Sequence, residues 1–256
     1  MRLPPRYLSP IVILVVACLA LPARATAQTL GQRFEGELAG NVYFGNTRQI
    51  LAAMRVEREQ TDSGAAMRTQ LRYGYGQTTT DEAGTVVNKR SWGAVTSYDR
   101  RPFSRISPYV RALLESSFEN RIARRYGAGG GARLNVIRSV ATDVIASAGV
   151  DAEQTVPLPT ALVPGDKTTL ARGLTNLRLR RVFSPSLSAA SEASYAPALT
   201  DFGDYTLLSL TSLKMSLSRT AGLTLTFRDG FDSRAVSRGA RSNNDGELLL
   251  GVLTTF

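Results

Sequence analysis

The chain has 256 residues, 43% of them hydrophobic, which is enough for one large all-β domain or two smaller ones and suggests neither disorder nor a helical membrane bundle. The formal net charge is +10, from 31 basic and 21 acidic residues with no histidine. The basic residues are nearly all arginine and are spread along the chain, whereas a nucleic-acid surface gathers them on one face, so nucleic acid is not an expected partner.

The first residues read as an export signal. Arg2 and Arg6 precede an apolar run, Ile11 to Leu21, that is too short to cross a bilayer as a helix, for which about 20 residues are needed. Ala25-Thr26-Ala27 offers a small-x-small cleavage site, so a mature chain is expected to begin at Gln28. Lipidation at Cys18 is the rival reading, disfavoured by Leu19 and by the continuing apolar run. Removing residues 1–27 takes away Arg2, Arg6 and Arg24, which brings the charge from +10 to +7. It also takes away the one cysteine, so disulfides, thiolate metal sites and cysteine nucleophiles are not expected.

After Gln28 the sequence shows period-two alternation broken by Gly, Pro, Asn, Asp and Ser, the pattern of half-buried strands. Phe34 to Phe44 is the first such stretch, and "GNT" at Gly45–Thr47 turns the chain. Ile50, Ala52, Met54 and Val56 then oppose Arg55 and Glu57, and Met67, Leu71, Tyr73 and Tyr75 oppose Arg68, Gln70 and Arg72. Trp92 and Tyr98 share a face away from Asp99, and Val110 and Leu114 one away from Arg111 and Glu115. Leu134 and Val136 oppose Arg133, and Val144 and Val150 oppose Asp143 and Asp151. Leu177 and Leu179 oppose Arg178 and Arg180, Leu187 and Tyr195 oppose Glu192, and Leu213 and Met215 oppose Lys214. Leu223, Leu225 and Phe227 oppose Arg228, and the last strand, ending at Phe256, makes twelve.

Connections after even strands are short, whereas those after strands three, seven and eleven read as long, at Gln77–Asn88, Val156–Lys167 and Ser233–Asn244. Such sorting predicts a transmembrane antiparallel up-and-down β-barrel of about 12 strands over residues 28–256, with periplasmic turns, outer loops and outer-membrane lipid around it. Aromatics near strand ends, among them Tyr73, Trp92, Tyr98, Tyr126 and Tyr195, suit interfacial girdles. A soluble exported barrel produces the same alternation with its faces exchanged.

"GNT" at Gly45–Thr47, "YDR" at Tyr98–Arg100 and "GAGGGARL" at Gly127–Leu134, in this order and spacing, resemble the salt-induced outer-membrane protein family (YdiY-like), which carries a domain of unknown function. The resemblance implies an outer-membrane barrel and transfers no site. Outer-membrane barrels also commonly end on an aromatic that the barrel-assembly machinery recognises, which by resemblance gives Phe256 the role of a terminal assembly signal.

Without histidine, Ser-His-Asp chemistry and imidazole-bound metals are excluded, no S-x-x-K motif is present, and an enzyme is not expected. No cofactor is implied: "GAGGGA" matches a dinucleotide fingerprint only on paper, because alternation runs straight through it with no helix following. "TTTDEAG" and "NNDGE" have oxygen ligands but no EF-hand spacing. The remaining constellation is a set of charges expected to face the lumen: Arg55, Arg68, Arg72, Arg111, Arg133, Arg178 and Arg180, with Glu57, Glu115, Asp143 and Glu192. They either pair across a narrow interior and close it, or line a water-filled passage for small anionic solutes.

Overall fold

In lipid a strand must satisfy its backbone inside the protein, and alternating strands do so only by closing on themselves. The computed structural model describes residues 31–43, 47–80, 84–158 and 168–255, and twelve antiparallel strands close there into one barrel. They are β1 (Gln32–Tyr43), β2 (Thr47–Thr61), β3 (Ala65–Thr80), β4 (Gly84–Arg100), β5 (Ile106–Ser117) and β6 (Ile122–Arg138). They continue as β7 (Thr142–Pro157), β8 (Thr168–Ser184), β9 (Leu187–Pro197), β10 (Tyr205–Ser216), β11 (Ala221–Asp232) and β12 (Asn244–Thr255). Each strand pairs with its sequence neighbours, and β1 pairs with β12 through Glu35↔Thr255 to Gly40↔Leu250. The chain therefore enters β1 and leaves β12 at one end of the barrel, the terminal end; the other is the distal end. The expected leader, 1–27, and Phe256 lie outside the described residues.

Side-chain burial decides which face is which. Leu38, Val110, Leu250 and Val252 point outward and are 58–67% exposed, while Glu35, Asp151 and Arg172 point inward and are 4–7% exposed. A soluble barrel would bury the leucines and show the charges, so the apolar outside marks a transmembrane barrel. Aromatics ring both ends of this apolar band. Trp92, Tyr126 and Tyr195 stand exposed toward the distal end, and Tyr98, Phe103 and Phe183 toward the terminal end.

Turns at the terminal end are short, with 2–5 residues between strands. At the distal end, residues 233–243 connect β11 to β12, as the loop pattern predicts, whereas of the expected loop Val156–Lys167 the first two residues belong to β7 and 159–167 lie outside the described residues. The expected long loop Gln77–Asn88 is a correction. β3 and β4 continue pairing to Thr80↔Gly84 across a bulge at Gly76/Gln77, and only 81–83 separate them. Thr78, Thr79 and Thr80 face Val86, Thr85 and Gly84, and this β-prone stretch extends the hairpin beyond the band.

The glycine run of β6 belongs to the barrel wall. A Cβ on Gly131 would lie 2.0 Å from the Ala148 carbonyl oxygen, and one on Gly129 would lie 2.1 Å from that of Val150. The close approach of β6 to β7 thus demands the missing side chains.

Leu250 sits mid-strand on the outer face, so Leu250→Arg should lower unfolding free energy in phospholipid vesicles by about 2–4 kcal/mol. Denaturant titration followed by circular dichroism reads this. A near-neutral effect would place that face in water.

Candidate functional site

Period-two alternation delivers one inward side chain every second residue from each strand, so polar inward positions of twelve strands stack into layers across one lumen. All eleven expected lumen residues stand on inward registers. Their surroundings differ with depth.

Toward the terminal end, carboxylates of β1 and β2 gather cations. Arg68 donates to Glu57 through Nε at 2.8 Å and Nη2 at 3.0 Å, and Gln70 adds a bond at 3.3 Å. Arg55 lies 3.4 Å from Glu57 and 3.9 Å from both Glu35 and Glu37. Lys214 of β10 reaches Glu35 at 2.7 Å, and Arg33 also pairs with it. Glu37 accepts from Thr224 at 2.7 Å and Thr226 at 3.1 Å.

At mid-depth Arg111 grips Asp151 with Nε at 2.7 Å and Nη2 at 2.5 Å. Arg133 pairs with Asp99 and stacks over the Tyr109 ring, 4.8 Å from its centroid. These bonds skip over β6 or β5, so they brace the wall across three strands.

The distal half holds the densest network, and sequence reading missed most of it. Arg125 of β6 reaches Glu115 at 2.8 Å, Glu153 at 3.3 Å and Asp232 at 3.1 Å, and also bonds Thr155. Asp232 lies on β11, five strands away, so this pair crosses the lumen. Lys89 of β4 likewise crosses to Asp245 at 2.9 Å and Glu247 at 3.1 Å on β12, and Arg228 meets Glu247 at 3.0 Å. Arg172 ties Glu153 at 3.0 Å to Asp204 at 2.8 Å in the β9–β10 connection.

Over these pairs lies the β11–β12 connection, which contains a 3-10 turn at Val236–Arg238 and buries Ala235 and Ala240. Arg238 pairs with Asp232 at 2.6 Å and donates to the Asn120 carbonyl at 3.2 Å, while Arg121 donates to the Gly239 carbonyl at 3.2 Å. Asn120 and Arg121 belong to the β5–β6 connection, half the ring away. The loop therefore spans the mouth from wall to wall. Arg234 holds its flank to Asp201 at 2.5 Å.

Three of the expected arginines have no carboxylate within 4.0 Å among the described residues: Arg72, Arg178 and Arg180. Arg178 and Arg180 border a cavity of about 380 Å³ that opens toward the terminal end. Eight cationic side chains and six carboxylates line it, so it is net positive. Arg72 borders a smaller space of about 120 Å³ under the distal network. Asp143 borders the larger cavity without a cation within 4.0 Å among the described residues, and Glu192 accepts from Asn176 at 2.9 Å.

A family model described as "Protein of unknown function, DUF481" matches residues 36–256, and the chain belongs to that family, the one its motifs resemble. No curated protein matches the sequence. Among solved structures the chain is similar to the NanC porin, at 9% identity over 88% of this chain and 98% of that one, with a TM-score of 0.49. It is also similar to an outer membrane channel from Pseudomonas putida F1, at 10% identity, 91% and 98% coverage and a TM-score of 0.49. A third likeness is the translocator domain of the autotransporter NalP from Neisseria meningitidis, at 12% identity, 96% and 94% coverage and a TM-score of 0.44.

Arg125 is 7% exposed and serves three carboxylates, so Arg125→Met should destabilise the barrel by about 3–5 kcal/mol in denaturant titrations. Adding Asp232→Asn should return part of that loss, because the two sites are coupled. Strict additivity would mean the cross-lumen pair does not form.

Proposed function

We propose that this member of the family is a bacterial outer-membrane barrel with periplasmic termini, acting as a narrow passive channel that favours small anionic solutes. Its extracellular mouth is held shut by the 233–243 loop. The observation that carries the reading is the trio Arg72, Arg178 and Arg180, which point into the lumen with no carboxylate within 4.0 Å among the described residues. An interior built only to be packed shut would leave such charges unpaired and dry, at a cost of several kcal/mol each. Water in the lumen removes that cost, and a watered lumen with surplus guanidinium attracts anions. The short turns at the terminal end support the periplasmic placement, since outer-membrane barrels turn tightly on that side.

The second reading is a non-conducting structural barrel, and the ion pairs crossing the distal half favour it. The two readings part on whether the mouth opens. Rigid cross-lumen pairs under a loop tied to both walls describe one closed state of a gate as well as a permanent lid. A gate must have a second state of comparable free energy, and the exposed loop contacts of Arg121 and Arg234, screened by salt, weigh little against it.

Cysteine pairs test this cleanly, because the only native cysteine lies in the expected leader. Asn120→Cys and Ser237→Cys should be joined by a short reducible bis-methanethiosulfonate linker in refolded protein. The linked barrel should be silent in a planar bilayer and should open after reduction. Equal conductance before and after reduction would remove the loop from the gate. Silence in both states from a folded barrel would overturn the channel and leave the structural reading.

A further inference from the structure

The terminal-end cavity has a chemistry more particular than a positive lumen. Its β8 wall presents Arg178 and Arg180, two residues apart on one face. In the layer of Arg180 the next two strands contribute only Ala190 and Ser212, and one layer nearer the terminal end stand Ser188 and Lys214. Small side chains beside two long guanidinium groups leave a recess in the wall of the cavity of about 380 Å³. That volume falls in the range of about 300–1,000 Å³ usual for small-molecule sites.

Carboxylates flank the same recess. Glu192 lies opposite Arg178 in the β8–β9 register, and Asp143 lies opposite Arg180 in the β7–β8 register. A bare anion drawn to the guanidinium groups brings no hydrogen-bond donor for either carboxylate. A solute that offers its own carboxylate to the arginines and hydroxyl donors to Glu192 and Asp143 satisfies every group at once. The hydroxyls of Ser188 and Ser212 extend that polar surface.

We propose that this cavity binds a monosaccharide-sized hydroxycarboxylate, its carboxylate on Arg178 and Arg180 and its hydroxyls on Glu192, Asp143 and the serines. The site rests on the watered lumen argued above and names the solute class that enters it from the periplasmic side.

The test is isothermal titration of the refolded mature barrel in non-ionic detergent at low salt, with D-glucuronate as probe and with acetate and D-glucose as comparisons. Glucuronate should bind, and acetate and glucose, each lacking one half of the chemistry, should bind more weakly by about tenfold or more. Arg178→Ala and Arg180→Ala should each weaken glucuronate by about tenfold, the loss expected of a charge-assisted bond. Arg180→Lys, which keeps the charge and loses the fork, should fall between wild type and the alanine variant. Arg219→Ala, at an exposed turn, should bind as wild type does. Circular dichroism and heat-modifiable gel mobility confirm folding of each variant. Acetate binding as tightly as glucuronate, or folded alanine variants binding unchanged, would overturn the site. Binding in detergent from a barrel that stays silent in bilayers would uphold the site and sink the channel, whereas openings without glucuronate binding would do the reverse.

Discussion

A strand edge in lipid has no water to bond, and the pairing of β1 with β12 answers that single constraint. The contact is short, running over Glu35–Gly40 and Leu250–Thr255, while β1 and β2 pair over the full length of β1. Everything else follows from closure. A closed ring of twelve alternating strands must put one residue set against lipid and the other into a common interior. Leu38, Leu250 and Val252 take the first role, and Glu35, Glu37 and Leu253, their neighbours in the same strands, take the second.

The interior is wide enough for charge and too narrow for charge to be ignored. Arginine suits it, because a planar fork can hold two carboxylates or bridge a skipped strand, as Arg125 and Arg111 do. Such pairs stiffen the wall and set the width of the path at the same time. The distribution along the axis is uneven. Carboxylates and cations at the distal mouth pair and tie the mouth loop down, while Arg72 beneath them and Arg178 and Arg180 in the terminal half stand clear of the described carboxylates. A barrel built only for stability would have no use for that asymmetry, since removing the unmatched arginines would spare their desolvation.

The face of each strand was legible in the sequence, because alternation is a local property and a one-residue error flips every side chain. Arg55, Arg68, Arg133 and Arg178 could be placed inside without any knowledge of their partners. Strand length was less legible. Beyond the lipid band β3 runs on through polar Gln77–Thr80 and the β3–β4 register shifts at Gly76/Gln77, so the alternation breaks and Gln77–Asn88 reads as loop, although the backbone goes on pairing there. The same effect hid Lys89, Arg125 and Arg172, which lie near distal strand ends. Each shares parity with a recognised inward residue, Arg125 with Arg133 and Arg172 with Arg178, and extending the alternation would have found them. The bond from Arg238 to the Asn120 carbonyl had no such signal, because it joins loops that only closure of the barrel brings face to face.

The central claim is that unpaired lumen arginines stand in water and bias what passes. Reversal potential across a bilayer carrying single barrels, under a potassium chloride gradient, tests it most directly. The account predicts a potential set by chloride, moving toward the potassium side when Arg72, Arg178 and Arg180 are changed together to alanine. A folded barrel that never opens, or a potential indifferent to the three arginines, would contradict it.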